Sequence, residues 1–228
     1  MCAAQQVPDT AFTYSNAEPR HASGQGPVVC LDEAHYNFHT LDGRYATFGK
    51  VLREDGYRVQ PNRQPFSVES LTACSILVIA NALDSVSNNA WQTPNRSAFS
   101  PDEIAAVNAW VKNGGRLFLI ADHMPFAGSA HALAHSFGVE FLNCFAFDNR
   151  RRNVERFFRG NNSLYDNAIT RGIDTVVTFT GSAFTLPKGA DPVLALHDYT
   201  ILLPEVAWQF TETTPHRNSR GLYQLGYL

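Results

Sequence analysis

What this chain of 228 residues lacks narrows it first. No run approaches the roughly 20 consecutive apolar residues that span a bilayer, so the sequence predicts a soluble protein. There is no basic surplus. The formal net charge of -3 contrasts with the positive balance of nucleic-acid binders, and no nucleic-acid partner is expected. CxxC pairs and zinc-finger spacings are absent. Of the four cysteines, Cys30, Cys74 and Cys144 sit in or beside apolar runs and read as small core residues. HExxH and GxSxG are missing, which removes the zinc-protease and serine-hydrolase signatures. No internal repeat or low-complexity block occurs, and no nucleotide cofactor is expected.

What is present is core-forming. The chain is 44% hydrophobic and 17% charged, enough to bury one sizeable domain. Residues 1–26 read as a flexible N-terminal tether and 27–228 as a single α/β domain. Cys2 in "MCAAQQVPDTAF" looks like the first residue of a bacterial lipoprotein whose signal peptide has given way to a start Met, which would tether the protein to a membrane. The alternative is an ordinary cytoplasmic N-terminus, so the expected location is the cell envelope or the cytoplasm.

From Gly26, strands and helices alternate. "GPVVCLDEAH" predicts a buried strand, Leu41 to Glu54 a helix, "YRVQ" a strand, Ser67 to Ala73 a short helix and "SILVIAN" another strand. "SPDEIAAVNAWVKNGG" predicts a helix with Ser100 as N-cap, Pro101 at its first position, Glu103 completing a capping box and Gly114-Gly115 as the stop. "RLFLIADH" reads as a strand and "GSAHALAHSFG" as a helix. "VEFLNCFAF" and "TVVTFTGSAF" read as two further strands. Alternation of this kind implies a mainly parallel sheet with helices on both faces, a three-layer sandwich.

Ligands of such sheets bind outside the carboxyl ends of the strands. Those ends here read "DEAHYNFH", "ANALDS" and "ADHMPFAG". Asp32, His35, His39 and Asp122 supply mixed nitrogen and oxygen donors suited to a divalent ion such as zinc, manganese, iron or calcium. Glu33 and His123 read as acid–base groups, while Asn37, Asn81 and Gly128 read as substrate-binding. Ser129, beside Gly128 at an expected helix start, is a candidate nucleophile, or simply an N-cap. His131 and His135 share one helix face and read as partly buried surface residues. The arginines of "NRRRNVERFFRG" read as a solvated face, and Trp91 lies in a long polar loop that could close as a lid or be simply a disordered insertion.

The segments "YATFGKVLREDGYRV", "ILVIANAL", "FSPDEIAAVNAWVKNGGRLFLIADHMPFAG", "DNAITRG" and "VVTFTGSAF" together resemble the DUF4350-type proteins of the class I glutamine amidotransferase-like superfamily, alongside the ThuA-like proteins. The resemblance covers roughly residues 27 to 200 and implies a flavodoxin-like sandwich with functional loops after its parallel strands. It also implies a further Gly-rich strand and helix beyond the ending "RGLYQLGYL". Asp122-His123 stand where that superfamily's glutaminases carry a nucleophilic cysteine in a GxCxG elbow. The expected function is therefore hydrolysis of a small ester, lactone or amide through a metal-activated water. The alternative is a non-catalytic domain of the cell envelope that binds a sugar or peptide.

Overall fold

The computed structural model describes residues 7–150 and 154–228, so Cys2, Arg151 and Arg152 lie outside the described residues. The chain forms two compact units, one of residues up to Ala82 with Phe99–Ile120, the other of Leu83–Ala98 with Ala121–Leu228.

The first unit is α/β. Strands β1 (Val28–Asp32), β2 (Arg58–Asn62), β3 (Ile76–Ala80) and β4 (Arg116–Ile120) form a parallel sheet in the order β2-β1-β3-β4. The two central strands are nearly continuous apolar runs, because both of their faces are covered. The edge strands alternate in burial, and Pro61 is tolerated on β2 because an edge strand has a side without ladder bonds. Helix α1 (Ala46–Glu54) lays Phe48 and Leu52 on a cluster of Val29, Leu31, Val78 and Ala80. It starts five residues after the expected Leu41. Residues 41–45 form turns instead, and Tyr45 offers no side-chain cap.

A short α2 (Val68–Leu71) and α3 (Pro101–Lys112) complete this unit. The capping box of Ser100 and Glu103 forms as the spacing predicts. At the other end of α3, Gly115 lies so close to the Trp110 indole that a Cβ would sit 2.3 Å from the ring. The described part of the expected tether, residues 7–26, has neither helix nor strand. Its backbone carbonyls at Asp9 and Thr10 accept from Thr47 and Lys50 of α1, and Asp55 accepts from Asn16 and Arg20.

The cysteine reading needs correction. Cys30 and Cys74, 44 residues apart, form a disulfide with a Cα–Cα distance of 5.7 Å. Both lie in apolar surroundings, which concealed the pairing. Cys144 is the buried thiol expected, and burial pushes its pKa up to about 12.

The second unit departs from a mainly parallel sheet. After α4 (Phe126–His135), the strands β5 (Glu140–Leu142), β6 (Phe145–Asp148), β7 (Glu155–Phe158), β8 (Thr175–Thr178), β9 (Ala183–Thr185), β10 (Asp191–Ala195), β11 (Tyr199–Leu202), β12 (His216–Asn218) and β13 (Tyr223–Tyr227) pair antiparallel. They form sheets ordered β10-β13-β9-β5, β12-β11-β6 and β7-β8. A parallel pair needs a crossover of a dozen or more residues, usually helical, and among the described residues no α-helix follows α4. The two long strands expected at 139–147 and 175–184 are each broken in two. A core of Phe157, Val193, Leu194, Tyr199, Ile201 and Leu222 holds this unit together. Among the described residues, no helix is long and apolar enough to cross a membrane.

Candidate functional site

The end of β1 gathers polar groups in the first unit. Asp32 is fully buried, and its carboxylate meets His35 Nδ1 at 2.9 Å and accepts from Asn37 Nδ2 at 2.8 Å. His35 Nε2 meets Glu103 Oε1 at 2.7 Å. The ring is clasped by Phe66 and Phe99, at centroid distances of 4.6 and 4.9 Å. Burial opposes charge on this imidazole, but the two carboxylates outweigh it and raise its pKa. His35 thus bridges two acids, one at each ring nitrogen. Both of its ring nitrogens are engaged, which leaves no lone pair for an ion.

The other residues expected at this end point elsewhere. Glu33 accepts from the Leu41 N–H at 2.8 Å and from Arg63 at 3.1 Å. His39 stacks on Tyr45 with centroids 4.5 Å apart. Asn81, buried with φ of 50°, uses its backbone to bond Ile120 and Phe38. Asp32, His35 and His39 thus share no coordination sphere. Among the described residues, the three donors close enough to hold one ion are His131, His135 and Glu140.

The second unit carries Asp122 and His123. His123 Nδ1 lies 2.6 Å from the Met124 carbonyl, which can only accept, so the ring proton sits on Nδ1 and Nε2 presents a lone pair. Nε2 stands 3.9 Å from Asp122 Oδ2. Burial lowers the His123 pKa and outweighs the Asp122 charge, so the imidazole is neutral at pH 7. Aromatic rings surround it: Phe145 stacks at 4.4 Å, Trp208 meets it edge-on at 4.7 Å, and Phe126 and Trp91 lie 5.7 and 6.0 Å away. Phe210 continues this surface from Phe145 and Trp208, and Trp208 is 47% exposed.

Asp122 accepts from the Thr180 hydroxyl at 3.1 Å. Nearby in charge, buried Glu155 has its pKa raised by burial, against hydrogen bonds from Thr178 and Gln224 and with the Asp122 and Asp148 charges adding to the rise. Two backbone outliers border this pair. Thr180 has φ of 57° and Trp208 of 65°, a region that costs a side-chain-bearing residue about 1–3 kcal/mol and collects at functional sites.

The helix-start reading of Gly128 and Ser129 is corrected. Helix α4 begins at Phe126, and the Gly128 N–H is already spent on Asn143 Oδ1 at 3.1 Å. A Cβ at Gly128 would lie 2.7 Å from that carboxamide, so glycine is needed for the approach. Ser129 is fully buried, its hydroxyl has no hydrogen-bond partner among the described residues, and neither His123 nor His131 reaches it as a base. Trp91, whose loop reads as a lid or as a disordered insertion, belongs to a segment that bonds to residues 205–207 and packs on Phe126.

No protein-family model matches the chain, and neither does any curated protein. Among solved structures it is similar to the mmIFT52 N-terminal domain, at 14% identity over 74% of this chain and 72% of that one, with a TM-score of 0.58. The likeness is one of fold. A ThuA-like protein from Bacteroides uniformis ATCC 8492 aligns at 13% identity over 81% and 71%, with a TM-score of 0.46.

Sequence reasoning reached Asp122 and His123 but missed Phe145, Trp208, Phe210 and Thr180. The only sequence signal was alternation, Phe145 with Phe147 and Trp208 with Phe210. Such spacing places side chains on one face without saying what they face.

Proposed function

We propose that the protein is a ligand-binding domain whose second unit takes a small hydroxyl-bearing ring, a sugar or sugar-like molecule, on the aromatic surface around His123. The observation that carries this reading is the pair of strained residues, Thr180 and Trp208, whose side chains meet Asp122 and His123. Strain of this kind persists where the surroundings fix it, and here it fixes an exposed indole beside two acceptors. Trp208 and Phe210 offer the flat apolar faces on which a sugar ring stacks. His123 Nε2 and Asp122 accept from its hydroxyls.

The test is a tryptophan-fluorescence titration with a panel of mono- and disaccharides. A saturable change that Trp208→Ala weakens by about two- to tenfold, the value of one aromatic contact, supports the reading. Failure of every saccharide, or equal binding by the variant, would sink it.

The geometry of His123 favours a second reading, hydrolysis of a small ester, lactone or amide. A neutral imidazole with its Nε2 lone pair beside Asp122 can take a proton from an attacking water. Turnover of activated esters that His123→Ala abolishes, while saccharide binding is absent, would make this reading primary.

The strand order β2-β1-β3-β4 is that of the first four strands of a flavodoxin-like sheet, which supports the finer reading of the first unit as flavodoxin-like. With the quoted segments, it also supports placing the chain beside the DUF4350-type and ThuA-related proteins. The Cys30–Cys74 disulfide supports an exported, cell-envelope location, since such bonds persist in oxidising compartments.

A further inference from the structure

We infer that His131, His135 and Glu140 form a binding site for a divalent transition-metal ion of the zinc class on the surface of the second unit. Their donor atoms lie within 4.8 Å of one another. The two histidines stand one helical turn apart on α4, rings stacked at 5.8 Å, so both project from the same face. Gly138, with φ of 80°, lets the chain turn sharply after α4 and return Glu140 at the start of β5 beneath them.

One feature separates this trio from an ordinary surface ion pair. His131 Nδ1 meets the Phe141 carbonyl at 3.0 Å, which places the ring proton on Nδ1. Nε2 is thereby left as a lone pair facing Glu140 Oε2 at 3.7 Å. Ligating histidines are commonly oriented by such a bond from the other nitrogen to a carbonyl. His135 Nδ1 approaches the second oxygen of the same carboxylate. Two imidazoles and a carboxylate are a zinc donor set, with a fourth position left to water. The side chains are 44% to 64% exposed, so an ion reaches them directly and small rotamer changes complete the sphere. Bound there, it would clip the end of α4 to β5.

The experiment titrates Zn²⁺ into the full-length chain by calorimetry, with Co²⁺ as a spectroscopic probe of the same site. The expected result is one equivalent of zinc and intensified visible absorption of the cobalt form. His131→Ala, His135→Ala and Glu140→Gln should each weaken binding by at least about tenfold, while His197→Ala, an exposed histidine elsewhere in the unit, leaves it unchanged. Circular dichroism verifies that each variant is folded. Absence of zinc binding would overturn the inference. So would wild-type affinity in His131→Ala or His135→Ala, or loss of zinc on His123→Ala. The outcome is independent of saccharide binding.

Discussion

At the scale of single residues, His35 shows how a buried polar cluster reads as chemistry in a sequence and as architecture in a fold. It bridges fully buried Asp32 to half-buried Glu103, and removing it leaves both carboxylates without their cation. Breaking a buried pair in this way costs about 3–5 kcal/mol, the loss expected for His35→Ala in urea unfolding. The pH dependence has a definite sign. Burial resists the charge on His35, yet Asp32 and Glu103 hold its folded pKa above the 6.5 of a free imidazole. Its contribution is complete below 6.5 and is lost as pH rises through the raised value. Burial likewise resists the charge on Glu103, but the Ser100 N–H and His35 lower its pKa below 4.5, so its contribution is lost as pH falls through the lowered value. Stability from the bridge should be greatest between 4.5 and 6.5. Wild-type urea midpoints should therefore fall more steeply from pH 6.5 to 9 than those of His35→Gln; parallel profiles would mean the imidazole is not charged.

At the scale of elements, Glu103 does two jobs. One oxygen accepts from the Ser100 N–H and hydroxyl, closing the start of α3, and the other receives His35 and the Phe66 N–H. Ser100→Ala removes only the cap and should cost about 1 kcal/mol. Glu103→Ala removes cap and bridge together and should cost clearly more, with the excess shrinking in a His35→Gln background. Additive losses in that double variant, read from urea midpoints, would show that Glu103 and His35 do not stabilise one another. The capping box was legible because its partners lie three residues apart. The partner of His35 was not, since Glu103 is 68 residues away and nothing local announces the contact. The same holds for β5 to β13, whose existence was partly readable from apolar runs but whose antiparallel partners are set by non-local pairing. A strand's residues reveal its faces and not its neighbour.

At the scale of the whole molecule, the sequence revealed the α/β half, where strands and helices alternate, more fully than the half after α4. The site divided along the same line. Asp122 and His123 stood out as polar groups at a strand end, whereas the rings around His123 arrive from residues 91, 126, 145 and 208 and converge only in the fold. Each unit also has its own apolar cluster, and the disulfide lies wholly within the first. A bridge closing a loop of 44 residues stabilises by about 2–4 kcal/mol, mainly by restricting the unfolded chain. Stability differs among regions that open separately, so the effect of removing the bridge should be local. In Cys30→Ser/Cys74→Ser, amides of β1 and β3 should exchange roughly 30- to 900-fold faster, the factor that 2–4 kcal/mol implies. Amides of β6 and β11 should keep their wild-type rates in the same hydrogen-exchange experiment. An equal acceleration in both sets would show that the two units open as one cooperative body, and that the disulfide stabilises the second unit as much as its own.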